Sequence, residues 1–191
     1  MNGIRKLIVA AIASSMSMAA SSAWADDAAP DRQGASAGIL VGYGSNSLYK
    51  FGLGVRGGYT LPQKIYIGGS FVYHFGESET DVGVTLSEHM FYLGPEGGYD
   101  FVIASVPQLL IRPYLGLGYA SFHVSESGNV AGSPFTGLNA SSSGFALWPS
   151  VTGLYSFTPA ISAGLDARVV LPTFGDSDAA FVLSVTGQYK F

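Results

Sequence analysis

Six charged residues stand at even-numbered positions inside otherwise apolar or small-residue stretches: Arg56, Glu96, Asp100, Arg112, Asp166 and Arg168. Two carboxylates held side by side could act as general acid and general base. Here three arginines accompany three carboxylates, and charges withdrawn from water need partners. The set therefore reads as a neutralising network before it reads as a catalytic one. If the intervening turn centres on Ser105, Arg112 faces Gly98, with Glu96 and Asp100 diagonally on either side, within reach of a long side chain.

Other motifs offer less. Gly52-Leu53-Gly54-Val55-Arg56-Gly57 matches G-x-G-x-x-G, but a phosphate site needs that turn to open a helix, and no helical pattern follows. His74 and His89 bracket an acidic stretch and could hold a metal with Glu77 or Asp81; a solvated loop is the simpler reading. In His123-Val124-Ser125 an imidazole two residues from a hydroxyl could act as its general base. No cofactor is implied, and without cysteine there is neither a disulfide framework nor a thiolate metal site.

The elements that must carry these residues are strands. From Phe181 to Phe191 every odd position is apolar, aromatic or glycine, and from Ser184 every even one is polar. That two-residue period puts one strand face in an apolar medium and the other in a polar one. Eight segments read this way, at roughly 37–45, 50–61, 65–76, 89–101, 109–123, 144–157, 160–171 and 179–191. In all of them the odd residues are the apolar ones. Short connectors (61–64, 102–108, 158–159) alternate with longer ones, of which 77–88 and 124–143 are long and polar. Pro95, Pro113 and Pro149 fall within strands, where each removes a ladder donor, so a bulge or gap in hydrogen bonding is expected beside them.

Composition decides which face is outside. Charged residues make up only 12% of the chain, about half the usual share, while aromatics reach 13%. No apolar run after the leader is long enough for a membrane helix. Aromatics gather in two rings near strand ends: Tyr59, Tyr99, Phe101, Tyr155, Phe157, Tyr189 and Phe191 at one, and Tyr73, Phe75, Phe91, Tyr119 and Phe145 at the other. Such girdles mark membrane interfaces. The expected fold is all-β, an eight-stranded antiparallel up-and-down transmembrane β-barrel.

Residues 1–25 read as a secretory signal peptide, with Arg5 and Lys6, an apolar stretch from Leu7, and Ala23-Trp24-Ala25 for cleavage. Residues 26–35 form a polar lead-in and 36–191 the barrel. Loss of the leader would take the net charge from −4 to −6, which argues against nucleic acid. The outer loops gather Glu77, Glu79, Asp81, Glu88, Glu126, Asp176 and Asp178, with Lys50 the nearby cation. Such a surface repels polyanions and could share divalent cations with lipopolysaccharide.

The terminal Phe191, preceded by Tyr189 and alternating apolar residues, resembles the closing strand of bacterial outer-membrane β-barrels. In that group the strand is read by the barrel assembly machinery, so the resemblance marks Tyr189 and Phe191 as an assembly signal. Leu93-Gly94-Pro95-Glu96-Gly97-Gly98-Tyr99 and Arg112-Pro113-Tyr114-Leu115-Gly116-Leu117-Gly118-Tyr119 resemble strands of the small outer-membrane β-barrel superfamily, which includes OmpA-like, OmpX-like and OmpW-like proteins. The resemblance implies a monomer in the outer membrane of a Gram-negative-type bacterium, surrounded by lipid and lipopolysaccharide. His123-Val124-Ser125 is similar to the His-x-Ser motif of lipid A deacylase barrels. That motif continues into Asn where Glu126 stands here, and it lies nearer the C-terminus. Three functions follow: a non-enzymatic structural or surface-interaction barrel with a lumen plugged by charged side chains, a narrow porin-like channel for small solutes, and, remotely, a lipid A-modifying hydrolase.

Overall fold

The computed structural model describes residues 32–81, 84–130, 133–174 and 178–191. The expected signal segment and the first part of the lead-in, residues 26–31, lie outside them, as does Asp176. The strands are β1 (Gly34–Gly44), β2 (Phe51–Thr60), β3 (Ile65–His74), β4 (Ser78–Asp81), β5 (Val84–Tyr99), β6 (Phe101–Ile103), β7 (Val106–Val130), β8 (Ser133–Ser156), β9 (Ile161–Pro172) and β10 (Ala180–Lys190). A one-turn 3-10 helix spans Ser47–Tyr49.

Ten segments build eight walls. The ring runs β1-β2-β3-β5-β7-β8-β9-β10 and returns to β1, every pair antiparallel. Segment β4 continues the β3 wall, and β6 continues β5 after Asp100. Closure is direct: Val41 pairs with Val185, and the Phe191 amide donates to the Ala35 carbonyl at 3.0 Å. No strand edge is left along this seam to template pairing with another chain.

The alternation read from the sequence sets the two faces. Odd residues such as Ile39, Val55, Phe71, Leu117, Leu165 and Val185 are exposed on the outer wall, while their even neighbours, buried or half-buried, face the lumen. An apolar band on a closed sheet satisfies every backbone group internally and suits a hydrocarbon medium. The aromatic rings close the band. At the end with the termini and short turns, Tyr99 meets Phe101 at 4.8 Å, Tyr155 meets Phe157 at 5.2 Å and Tyr189 meets Phe191 at 5.2 Å. At the opposite, outer end, Tyr73 meets Phe75 at 5.0 Å and Phe91 meets Tyr119 at 6.0 Å.

Three expectations change. β1 begins at Gly34, inside the expected lead-in. The polar stretches 77–88 and 124–143 are not plain loops: β4–β5 and β7–β8 run on as hairpins beyond the apolar band. Above the membrane both strand faces meet water, so the alternation that betrays a strand disappears. Lastly, the β6–β7 turn places Val102 opposite Leu110 and Phe101 opposite Ile111, which shifts the register by two residues. Tyr114, not Arg112, therefore faces Gly98.

The prolines are accommodated by breaks in the ladder. Pairing of β5 with β7 skips Gly94 and Pro95, and pairing of β8 with β9 skips Trp148 and Pro149. Pro113 faces the junction between β5 and β6. In an antiparallel sheet each residue bonds to one neighbouring strand only. Each proline can thus lack its donor on the interrupted side while keeping its place on the other.

Candidate functional site

The lumen is the candidate site, and it has four levels. At mid-height Arg56 on β2, Glu96 on β5, and Asp166 and Arg168 on β9 converge. Arg56 Nε donates to Glu96 Oε2 at 2.8 Å, and its Nη2 to Asp166 Oδ2 at 2.9 Å. Arg168 Nε donates to Asp166 Oδ1 at 2.7 Å, with Nη1 3.9 Å from Glu96 Oε1. Neutral donors complete both carboxylates. Ser70 Oγ (2.6 Å) and Trp148 Nε1 (3.0 Å) donate to Glu96, while Thr152 Oγ1 (2.5 Å) and the Tyr114 hydroxyl (2.8 Å) donate to Asp166. Two positive and two negative charges cancel along one hydrogen-bonded chain, Glu96–Arg56–Asp166–Arg168, which is the condition for burying them.

Arg112 and Asp100 form a separate pair nearer the inner end. The register shift puts them across the β6–β7 hairpin, where Arg112 Nε and Nη2 donate to the two Asp100 oxygens at 2.5 and 2.7 Å. Such a fork-to-fork contact fixes orientation as well as charge. The guanidinium also lies 3.8 Å from the centre of the Tyr66 ring, and Nη2 reaches Thr60 Oγ1 at 3.3 Å. Of the two carboxylates expected within reach of Arg112, Asp100 is its partner, whereas Glu96 belongs to Arg56 and Arg168.

Below this pair the barrel opens into a vestibule lined by Ser36, Thr60, Ser156, Ser162 and Gln188, among others. Arg32, just before β1, reaches across its mouth and donates to the Pro107 and Gln108 carbonyls at 3.1 and 2.8 Å.

Above the charges the lumen is apolar. Leu40, Val72, Met90, Tyr92, Trp148, Val170 and Val182 are all buried, as is Tyr49, which the 3-10 turn folds inward. Tyr49 contacts His74 at 5.3 Å, His74 stacks on Tyr92 at 5.9 Å, and Tyr92 meets Trp148 at 5.2 Å. Trp148 is 0% exposed and occupies the space opposite Gly116, where any Cβ would collide with the indole. Its ring belongs to the apolar cap while its N–H anchors the charged layer, a division that suits tryptophan's one polar edge. Tyr92 does the same, accepting from Arg168 Nη1 at 3.3 Å.

Sequence reasoning missed this cap. The signal was present at Val72, Met90, Tyr92, Trp148, Val170 and Val182, where both parities turn apolar in the outer half of a strand.

The remaining motifs separate. Gly52–Gly57 lies wholly within β2, so the G-x-G-x-x-G match meets no helix. His74 points into the lumen, 3.2 Å from the Lys50 carbonyl, whereas His89 lies on the outer wall. The two cannot share a metal with Glu77 or Asp81 across the sheet. His123 stacks on His89 at 5.1 Å, and its Nδ1 makes no hydrogen bond. Among the described residues no group of three or more His, Cys, Asp or Glu side chains could hold a metal. Lys50 bridges to Glu77 at 3.5 Å beside the acidic rim.

No protein-family model and no curated protein matches the chain. Solved structures do. A major outer membrane protein of Thermus thermophilus superposes with a TM-score of 0.56 at 15% identity, covering 82% of this chain and 99% of that one. Ail, the attachment invasion locus protein of Yersinia pestis, gives 0.54 at 15%, over 82% and 96%. Neisserial surface protein A gives 0.50 at 17%, over 82% and 96%. The fold is that of the small outer-membrane β-barrels.

Proposed function

We propose that this protein is a closed, non-enzymatic barrel of the Gram-negative-type outer membrane, whose lumen is plugged and whose work is done by its wall and outer hairpins. The observation that carries the reading is the packing of Trp148, Tyr92 and Tyr49 directly over the neutralised Arg56–Glu96–Asp166–Arg168 layer. An ion crossing the lumen would have to part a dry aromatic cap and then break a ring of buried charge contacts. An eight-stranded barrel has an interior just wide enough for side chains to fill. The apolar wall between aromatic rings supports residence in lipid with lipopolysaccharide at the outer end. Closure of β10 on β1 supports a monomer delivered by the barrel assembly machinery, with Tyr189 and Phe191 as its signal. The acidic outer loops suit surface interaction better than polyanion binding.

Conductance tests the plug. The purified barrel in a planar bilayer should show no steady conductance, and Trp148→Gly combined with Tyr49→Gly should open one through the vacated volume. Steady conductance of the wild-type protein, unchanged by those substitutions, would overturn the closed barrel and establish the narrow channel in its place.

A further inference from the structure

We propose that His89 and His123 form a two-imidazole site for a divalent transition-metal ion, Zn²⁺, Ni²⁺ or Cu²⁺, at the outer rim of the barrel wall. The two residues are direct cross-strand partners on β5 and β7, and both have outward parity. Their rings are parallel to within 1° with centroids 5.1 Å apart. Tyr73 stacks against His89 at 5.9 Å. His123 Nδ1 is shielded from solvent and has no hydrogen-bond partner. A ring nitrogen without a partner keeps its lone pair available to a ligand.

The surroundings favour a metal over simple packing. The neighbours in register are hydroxyl residues: Ser87 opposite Ser125, Ser121 opposite Phe91, and Ser141 opposite His123. Small side chains leave room around the imidazoles and can hydrogen-bond coordinated water. Phe91 and Tyr119 pack 6.0 Å apart on the lipid side of the pair, which places the histidines at the edge of the aqueous phase. The acidic side chains Glu77, Glu88 and Glu126 of the same rim raise the local concentration of cations.

Metal–imidazole bonds are about 2.0–2.1 Å long, so both donors must approach within about 4 Å of each other. The ion binds in the plane of each ring, so chelation turns both imidazoles out of their stack, a side-chain movement that opposed positions on neighbouring strands allow without moving the sheet. Imidazole nitrogen selects zinc, nickel or copper, whereas magnesium and calcium prefer oxygen. With two protein ligands, the remaining coordination positions belong to water, and the affinity is that of an open site.

The test is a Zn²⁺ titration of the refolded, tag-free barrel, followed through the ring signals of its three histidines. Expected is saturable binding of one ion per barrel that shifts His89 and His123 together and leaves His74 unmoved. H89N and H123N should each weaken binding at least tenfold, and zinc should raise the unfolding temperature of the wild type alone. Because both side chains are on the outer wall, the variants should fold. Shifts that never saturate, a response from one histidine only, or undiminished binding by the H89N/H123N double variant would overturn the site and leave the pair as aromatic packing.

Discussion

The two charge groups in the lumen use the same residue types, equally buried, with different surroundings. Arg56, Glu96, Asp166 and Arg168 are covered by Trp148 and Tyr92, and their carboxylates are saturated by neutral donors. Arg112 and Asp100 form a simpler fork that faces an open vestibule. The contrast teaches that a buried ion pair is expensive to break in proportion to how far water is kept away. The upper group is a closed system in which each charge depends on the others. The lower pair is as well buried, but it lines the vestibule, from which water can enter once a side chain is removed.

The largest expected effect follows from removing one member of the dry group. Glu96→Ala strands Arg56 and takes the acceptor from Ser70 and Trp148, which should cost ~3–5 kcal/mol. Asp100→Ala should cost less, ~1.5–3 kcal/mol, because the pair lines the vestibule and water can enter the space the carboxylate leaves. Denaturant titrations in lipid vesicles measure both, and equal losses would erase the distinction. Partnership can be read from the same experiment. Glu96→Ala and Arg56→Ala should couple by ~0.5–3 kcal/mol, whereas Glu96→Ala and Arg112→Ala, which share no contact, should add. Coupling of the second pair would restore the register expected from sequence.

A smaller effect belongs to the cap. Gly116→Ala pushes a methyl group into the Trp148 indole and should destabilise by ~1–3 kcal/mol. Gly153, whose added Cβ would meet nothing within 4 Å, is the control; its alanine variant should be nearly neutral. If the two behaved alike, the cap would be loosely packed. The smallest effect is expected at the open end: Arg32→Ala removes two contacts to carbonyls and should cost ~1 kcal/mol or less in the same titration.

The wall was legible in the sequence because lipid imposes a strict rule on every second residue. Ile39, Val55, Leu117 and Val185 obey it, and the structure puts them all outside. The lumen follows no comparable rule. Parity alone cannot place Arg112, because a two-residue change in the turn after Ile103 preserves it. Trp148 and Tyr92 were passed over because an apolar residue on the inner face looks like noise until its counterparts on other strands are brought to the same height. The polar strands of the β7–β8 hairpin, Ser-rich on both faces, carried no periodicity to find.

The three prolines also give the barrel unequal stiffness around its circumference. The ladders joining β9, β10, β1, β2, β3 and β5 run without interruption. The β5–β7 and β8–β9 ladders are broken at Pro95 and Pro149, and the β5–β6 junction opens opposite Pro113. Fewer cross-links along one sector make it the line on which the cylinder flattens when lateral pressure changes. Amide exchange there should outpace that of the opposite wall, although both lie in the same hydrocarbon slab. The barrel is thus a hoop with a built-in crease: rigid where it closes chain end to chain end, and compliant on the side that carries the longest hairpin.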